Sequence, residues 1–233
     1  MISISDLDIY IIEQKTVPFE GEVKEVYQEI LTCFQESWDI YSKFKGITVP
    51  VDYQKELSYA DELVGVFYQR ECVAMIAFGH PDLNYIHYKD DKFLHHWDED
   101  SIATLIKNGK RVQTLTKLGR RPGRKLESGI KELPNVTRWT DLINILINGS
   151  LIRKDLDVSA AMLNEESAIK TYHEQWENPP IRLSVPIPYY GVTARVHFAA
   201  IYAEESKRKL NDYNILKKRI TFYRQNKNNY LVA

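Results

Sequence analysis

The sequence predicts a single α/β domain over residues 1–233. Helical and strand periodicities alternate along its whole length. Apolar residues make up 44% and aromatic residues 12%, enough to fill a sizeable core. No repeat, low-complexity tract or long linker divides the chain.

The elements follow in order. Residues 7–14 (LDIYIIEQ) form a strand, and Pro18 and Gly21 punctuate it. Val23, Val26, Tyr27, Ile30, Leu31, Phe34, Trp38, Tyr41 and Phe44 then recur at steps of three and four, which marks a long amphipathic helix stopped by Gly46. Its aromatic residues either fill the core or line a pocket. LVGVFYQ (63–69) and CVAMIAF (72–78) are β-rich runs close enough for a hairpin. Residues 91–108 are partly helical, and 111–118 alternate as a strand. Residues 138–152 form an apolar helix with Thr137 as its candidate N-cap, and 157–163 a strand. Residues 164–176 form a helix capped by Asn164 and ended by Pro179 and Pro180. Two strands, 182–190 and 195–203, flank Gly191; Pro186 and Pro188 bar the first from a fully paired position. A charged helix is expected over about 204–225.

The net charge of −1 gives no global sign of a nucleic-acid or membrane partner. No stretch approaches the roughly 20 apolar residues of a membrane span, and the acidic N-terminus is unlike a signal peptide, so a soluble cytoplasmic protein is expected. Cys33 and Cys72 are too few for a metal site or disulfide framework and read as buried free thiols.

The local exception is residues 101–126, which hold eight lysines and arginines (Lys107, Lys110, Arg111, Lys117, Arg120, Arg121, Arg124 and Lys125) and no acid. Backbone N–H groups around Gly119 and Gly123 could form an anion-binding nest, and arginine forks match phosphate oxygens. The competing readings are a solvated basic loop or a nucleic-acid contact; the second lacks aromatic residues over 106–126 for base stacking. His80 follows a strand in AFGH and is either an incidental loop histidine or a base acting through water. His95 and His96 lack the spacing of a metal site, and His197 is a strand residue. No serine or cysteine nucleophile signature is present.

The element order over residues 22–203, with two motifs, resembles the GNAT superfamily of N-acyltransferases. In DVSAAMLNEESAIKTYHEQW, Ala168-Ile169-Lys170-Thr171-Tyr172 keeps the Ala-to-Tyr spacing that many members of that family carry on the helix after a strand, with Asn164 one residue further upstream than usual. Arg120-Arg121-Pro122-Gly123-Arg124-Lys125 keeps the first Arg and the Gly of the family's acyl-CoA loop, with Lys125 where a small residue is usual. The next apolar helix starts about 14 residues later, which lengthens or displaces that loop. The long first helix also looks like that of the N-acyl amino acid synthases and acyl-homoserine-lactone synthases.

The resemblance implies a mixed, splayed central sheet flanked by helices. It also implies transfer of an acyl group from acyl-CoA, or from the phosphopantetheine of acyl carrier protein, to an amine of a small molecule or protein, without a metal. Arg120, Arg121, Gly123, Arg124, Lys125 and Asn164 would hold the donor, and Tyr172 would protonate the leaving thiolate, since a phenol keeps its proton at neutral pH. Tyr172 also falls at helical spacing with Ile169 and Trp176, as a packed residue would. The base carboxylate that the family often carries near its fourth strand has no match in 111–118, which leaves His80. A catalytically inactive GNAT-like binding domain is the alternative.

Overall fold

A computed structural model describes residues 1–15, 20–164 and 179–224. Its strands are β1 (Leu7–Glu13), β2 (Glu62–Tyr68), β3 (Glu71–Gly79), β4 (Val112–Arg120), β5 (Val158–Asn164), β6 (Arg182–Tyr189), β7 (Val192–Tyr202) and β8 (Ile220–Tyr223). They form one sheet in the order β6-β7-β5-β4-β3-β2-β1-β8. Neighbours are antiparallel except β4 with β5 and β1 with β8. The principal helices are α1 (Gly21–Lys45), α2 (Tyr53–Ser58), α3 (Glu99–Leu105) and α4 (Trp139–Arg153).

The apolar stripe of α1 covers one face of the sheet. Ile30, Phe34 and Trp38 pack with Leu63, Phe67, Met75 and Ala77. Gly46 ends the helix in the left-handed region, with φ of 68°. Helix α4 is apolar nearly all round, and Leu142, Ile145 and Leu146 pack on the other face with Val64, Val66 and Ile76. A third cluster under the C-terminal half stacks Trp97 on Phe198. The proline-bearing β6 sits at the sheet edge, where missing N–H donors cost least.

The β2–β3 hairpin forms as expected, through Gln69-Arg70, both in the left-handed region that a tight hairpin requires. Two expectations are corrected. Asp141, not Thr137, satisfies the start of α4: its carboxylate accepts the backbone N–H groups of Thr137 (2.9 Å) and Arg138 (2.8 Å). The charged helix expected over about 204–225 ends early: Ala203–Ser206, Lys207–Lys209, Leu210–Leu216 and Lys217–Arg219 run on as α- and 3-10 turns, and Ile220–Tyr223 then form β8, because Ile220 and Phe222 reach the main apolar cluster as an added edge strand beside β1. The helix expected over 164–176 lies outside the described residues apart from Asn164, which is the last residue of β5.

Two predictions follow from this packing. A Cβ on Gly149 would lie 2.0 Å from the Tyr213 ring, so Gly149→Ala is expected to destabilise. Overpacking of about 1–3 kcal/mol outweighs the ~1 kcal/mol that alanine gains over glycine in a helix. Urea unfolding should show it, with a smaller loss when Tyr213 is also changed to leucine. Asp141 is buried, which alone would raise its pKa, yet the donors from Thr137 and Arg138 hold it below the usual carboxylate range. Its contribution is therefore present above the unfolded value near pH 4 and is lost as pH falls through the lower folded value. Asp141→Asn should cost about 0.5–2 kcal/mol at pH 7 and progressively less on acidification below pH 4, read from unfolding curves across that range.

Candidate functional site: the parting of β4 and β5

Strands β4 and β5 pair in parallel only from Val112↔Val158 to Leu115↔Ala161. Beyond that point β4 follows β3 to Arg120, while β5 follows β7 to Asn164. The separation coincides with a bulge in β4. Lys117 stands opposite Ala77 and Leu115 opposite Phe78, leaving Thr116 as the extra residue, with its hydroxyl on the Ala77 carbonyl at 3.1 Å. Past Leu115, the β4 backbone groups that face β5 have no partner in a described strand.

The bulge also aims Lys117. Opposed residues share a face, and Ala77 belongs to the α1 face, so the Lys117 side chain rises under α1. Its Nζ lies 5.6 Å from the Trp38 ring, 5.9 Å from Tyr189 and 5.7 Å from Tyr190. Tyr189 ends β6. Tyr190 and Gly191 make the two-residue turn to β7, both with positive φ, and Gly191 approaches Val49 in the link between α1 and α2. Asn164 closes the β5 side by donating to the Tyr41 hydroxyl at 3.0 Å.

Glu56 of α2 completes the box. One of its oxygens is 2.9 Å from Lys117 Nζ, and the other is 3.5 Å from Lys92 Nζ, which lies over the Tyr59 ring. Burial alone would raise the Glu56 pKa; the Tyr190 hydroxyl and the Lys117 ammonium outweigh it and hold the carboxyl below its ordinary value. Burial, and then the bond to Glu56, pushes Tyr190 up. The ionised state is therefore Glu56 carboxylate with a neutral phenol.

The basic turn is built differently from a phosphate nest. Gly119 lies inside β4, and a Cβ there would meet Met75 and the α1 backbone at Phe34, so it serves close helix packing. Pro122-Gly123 occupy the central positions of a turn closed by Arg124 N–H to the Arg121 carbonyl, with Gly123 at φ of 74°. Arg121 is buried among Glu29 (3.2 Å), Glu36 (3.3 Å) and Glu71 (3.9 Å), and Arg124 also pairs with Glu71. Arg120, Gly123 and Lys125 are exposed; the Arg120 N–H donates to Ser37. Eighteen residues, 121–138, separate β4 from α4, so the turn does not abut a helix start.

His80 follows Gly79, which stands opposite Thr114, so it lies a few residues from the Thr116 bulge; it is six residues past Ala74, which stands opposite Arg120, roughly 20 Å from the basic turn at strand rise. Burial lowers its pKa, and its backbone N–H donates to Asp61. Tyr172 lies outside the described residues. Cys33 and Cys72 are buried free thiols; burial, then the neighbouring Cys33, holds Cys72 well above the usual thiol value. Among the described residues no group of three metal-binding side chains occurs, and no helix is long and apolar enough to cross a membrane.

Sequence reasoning missed Glu56 and Lys117 as a pair. The one available signal was a lysine inside an otherwise strand-like run, which was counted with the basic stretch.

This splayed sheet is the fold of the GNAT N-acyltransferases. Solved structures with the same architecture include FeeM, an N-acyl amino acid synthase from uncultured soil microbes, at 12% identity and a TM-score of 0.51, covering 87% of this chain and 93% of that one. The AHL synthase LasI matches at 10% identity and 0.52, covering 88% and 95%. The CoA-dependent acyl-homoserine lactone synthase BjaI, solved with SAM and isopentyl-CoA, matches at 11% and 0.52, covering 94% and 95%. No family model matches the sequence, and no curated protein does.

The two arginines of the turn should separate on substitution. Arg121→Ala leaves three carboxylates facing one another and should lower stability by about 1–3 kcal/mol, less than a fully buried pair because Glu29 and Glu71 are each 40% exposed. Arg120→Ala should leave the urea midpoint within about 0.5 kcal/mol of wild type, as surface changes do.

Proposed function

We propose that the protein transfers an acyl group from a phosphopantetheine thioester, carried by CoA or by acyl carrier protein, to an amine of a small molecule. The observation that carries this reading is the parting of β4 and β5 at the Thr116 bulge, which frees strand donors along an open seam. The N-acyltransferase and synthase names of the structures sharing the fold support it.

In this reading the thioester lies in the seam and β4 N–H groups polarise its carbonyl. The amine nitrogen attacks that carbon from the α1 side, the C–S bond of the tetrahedral intermediate breaks, and the thiolate takes a proton. Tyr172, assigned from sequence, supplies that proton. Arg120 and Lys125 are the cations left exposed for the donor's phosphates or for an acidic carrier surface. Arg121 and Arg124 are committed to Glu29, Glu36 and Glu71. The incoming ammonium gives one proton to water before attack; after attack the nitrogen gives up a second, Tyr172 regains a proton from solvent, and amide and thiol leave.

Thermal unfolding tests the donor. A matching acyl-CoA at a hundred times its Kd stabilises by about 2.7 kcal/mol, roughly a 5–10 °C rise for a chain of this size. Acetyl-CoA, a long-chain acyl-CoA, free CoA and acyl-loaded carrier protein should rank by acyl preference, and Arg120→Ala should reduce the rise. No rise with any of them would exclude the reading.

A further inference from the structure

We infer that Cys33 and Cys72 form an oxidative modification site, at which a peroxide closes the two thiols into one intramolecular disulfide that ties α1 to β3. The inference stands apart from the acyl-transfer reading.

The ion pairs of Arg121 place the two sulfurs. Glu29, Cys33 and Glu36 follow one another at steps of four and three, so they share a face of α1. Arg121 reaches both acids, with Nη1 3.2 Å from Glu29 and Nε 3.3 Å from Glu36, and its guanidinium therefore spans Cys33. Cys72 comes to the same place from β3. Its backbone N–H lies 3.4 Å from the Glu29 carboxylate, and the carbonyl of the next residue, Val73, accepts the Arg121 N–H at 3.0 Å. Both side chains are fully buried in the cluster between α1 and the sheet, where they lie against each other. They are the chain's two cysteines.

Buried structural thiols are ordinarily inert, and three features set this pair apart. Each sulfur has the other as neighbour, so a singly oxidised one is captured before it oxidises further. Burial and then the Cys33 contact hold the Cys72 thiol above its usual value, but the Arg121 charge opposes them and favours the thiolate. A cavity of about 410 Å³ opens at the same spot, lined by the basic turn from Arg121 to Arg124 together with Glu36 and Glu71. Arg121 and Glu36 are at once its wall and the cover of Cys33. Hydrogen peroxide, about two waters in size, fits there.

The chemistry balances with peroxide as oxidant. One cysteine thiolate attacks a peroxide oxygen, the O–O bond breaks, and the departing hydroxide takes the thiol proton as water. The other cysteine then attacks the sulfenic sulfur, the S–O bond breaks, and a second water leaves. Two thiols and one peroxide become one disulfide and two waters. Ser37, Trp38 and Tyr41 lie one to two turns further along α1, so the new bond would fix the helix that roofs the seam.

Treating the folded full-length protein with hydrogen peroxide, alkylating in urea and weighing the product tests this. The chain should lose two hydrogens and take up no alkyl label, and dithiothreitol should restore both thiols. The bond closes a loop of about 40 residues, so the thermal midpoint should rise by roughly 5–10 °C. In at least one of Cys33→Ala and Cys72→Ala, the remaining sulfur should take up dimedone as a sulfenic acid, which the wild type should not. The inference is overturned by thiols that stay reduced under peroxide that oxidises the urea-unfolded chain. A sulfinic acid beside a free thiol, cross-linked dimers, a lower midpoint after oxidation, or equal dimedone uptake by wild type and variants would overturn it as well.

Discussion

Hydrogen bonding between β4 and β5 stops at Leu115 and Ala161, and the rest of the site depends on that termination. A continued ladder would consume the β4 donors and bring β5 alongside Lys117. Instead each strand keeps its outer neighbour, β3 or β7, so the sheet loses one set of bonds without fraying. The Thr116 bulge lies at the same level and increases the local bend of β4. One extra residue therefore helps to open the seam and directs Lys117 to the α1 face.

The seam needs a roof, and distant segments make it. Trp38 and Tyr41 come from α1, Glu56 from α2, and Tyr189 and Tyr190 from the β6–β7 turn. The left-handed conformation at Tyr190 keeps this turn two residues long, and Gly191 lets it approach Val49. The aromatic rings contribute contact area with few rotatable bonds, which suits a recognition surface. Charge in the chain is divided along the same strand. Arg121 is spent on joining α1 and β3 through Glu29, Glu36 and Glu71, whereas Lys117 faces the seam.

Much of the scaffold was legible before the structure because local pattern and packing agree. The α1 periodicity, the Gly46 stop, the hairpin, the apolar α4 and the prolines of β6 each have a cause that acts within a few residues. The site was less legible because its causes are not local. Nothing in LTKLGRR shows where a neighbouring parallel strand lets go, and nothing in YQKELS shows that Glu56 will meet Lys117. The ion pairs of the basic turn were hidden for the same reason: its arginines stand together in sequence, but their carboxylates come from α1 and β3. The terminal helix ends sooner than its composition suggests because Ile220 and Phe222, which continue that composition, gain more by extending the sheet.

The α4 face of the sheet, level with the point where β4 and β5 part, shows what holds the strands there: Phe78 stands opposite both Leu115 and Glu62. Glu62 is fully buried and is held by Arg153 and Lys154 from the end of α4, with Lys154 also on Glu13 of β1 at 3.0 Å. Removing one partner from such a buried network is strongly destabilising, so α4, β1 and β2 are fixed together in register. His80 borders this network, and its lowered proton affinity keeps it neutral beside two cations. Rigid pairing in the buried network and released pairing between β4 and β5 are two halves of one arrangement: β4 can give up β5 because β3 and the helices on both faces still hold it.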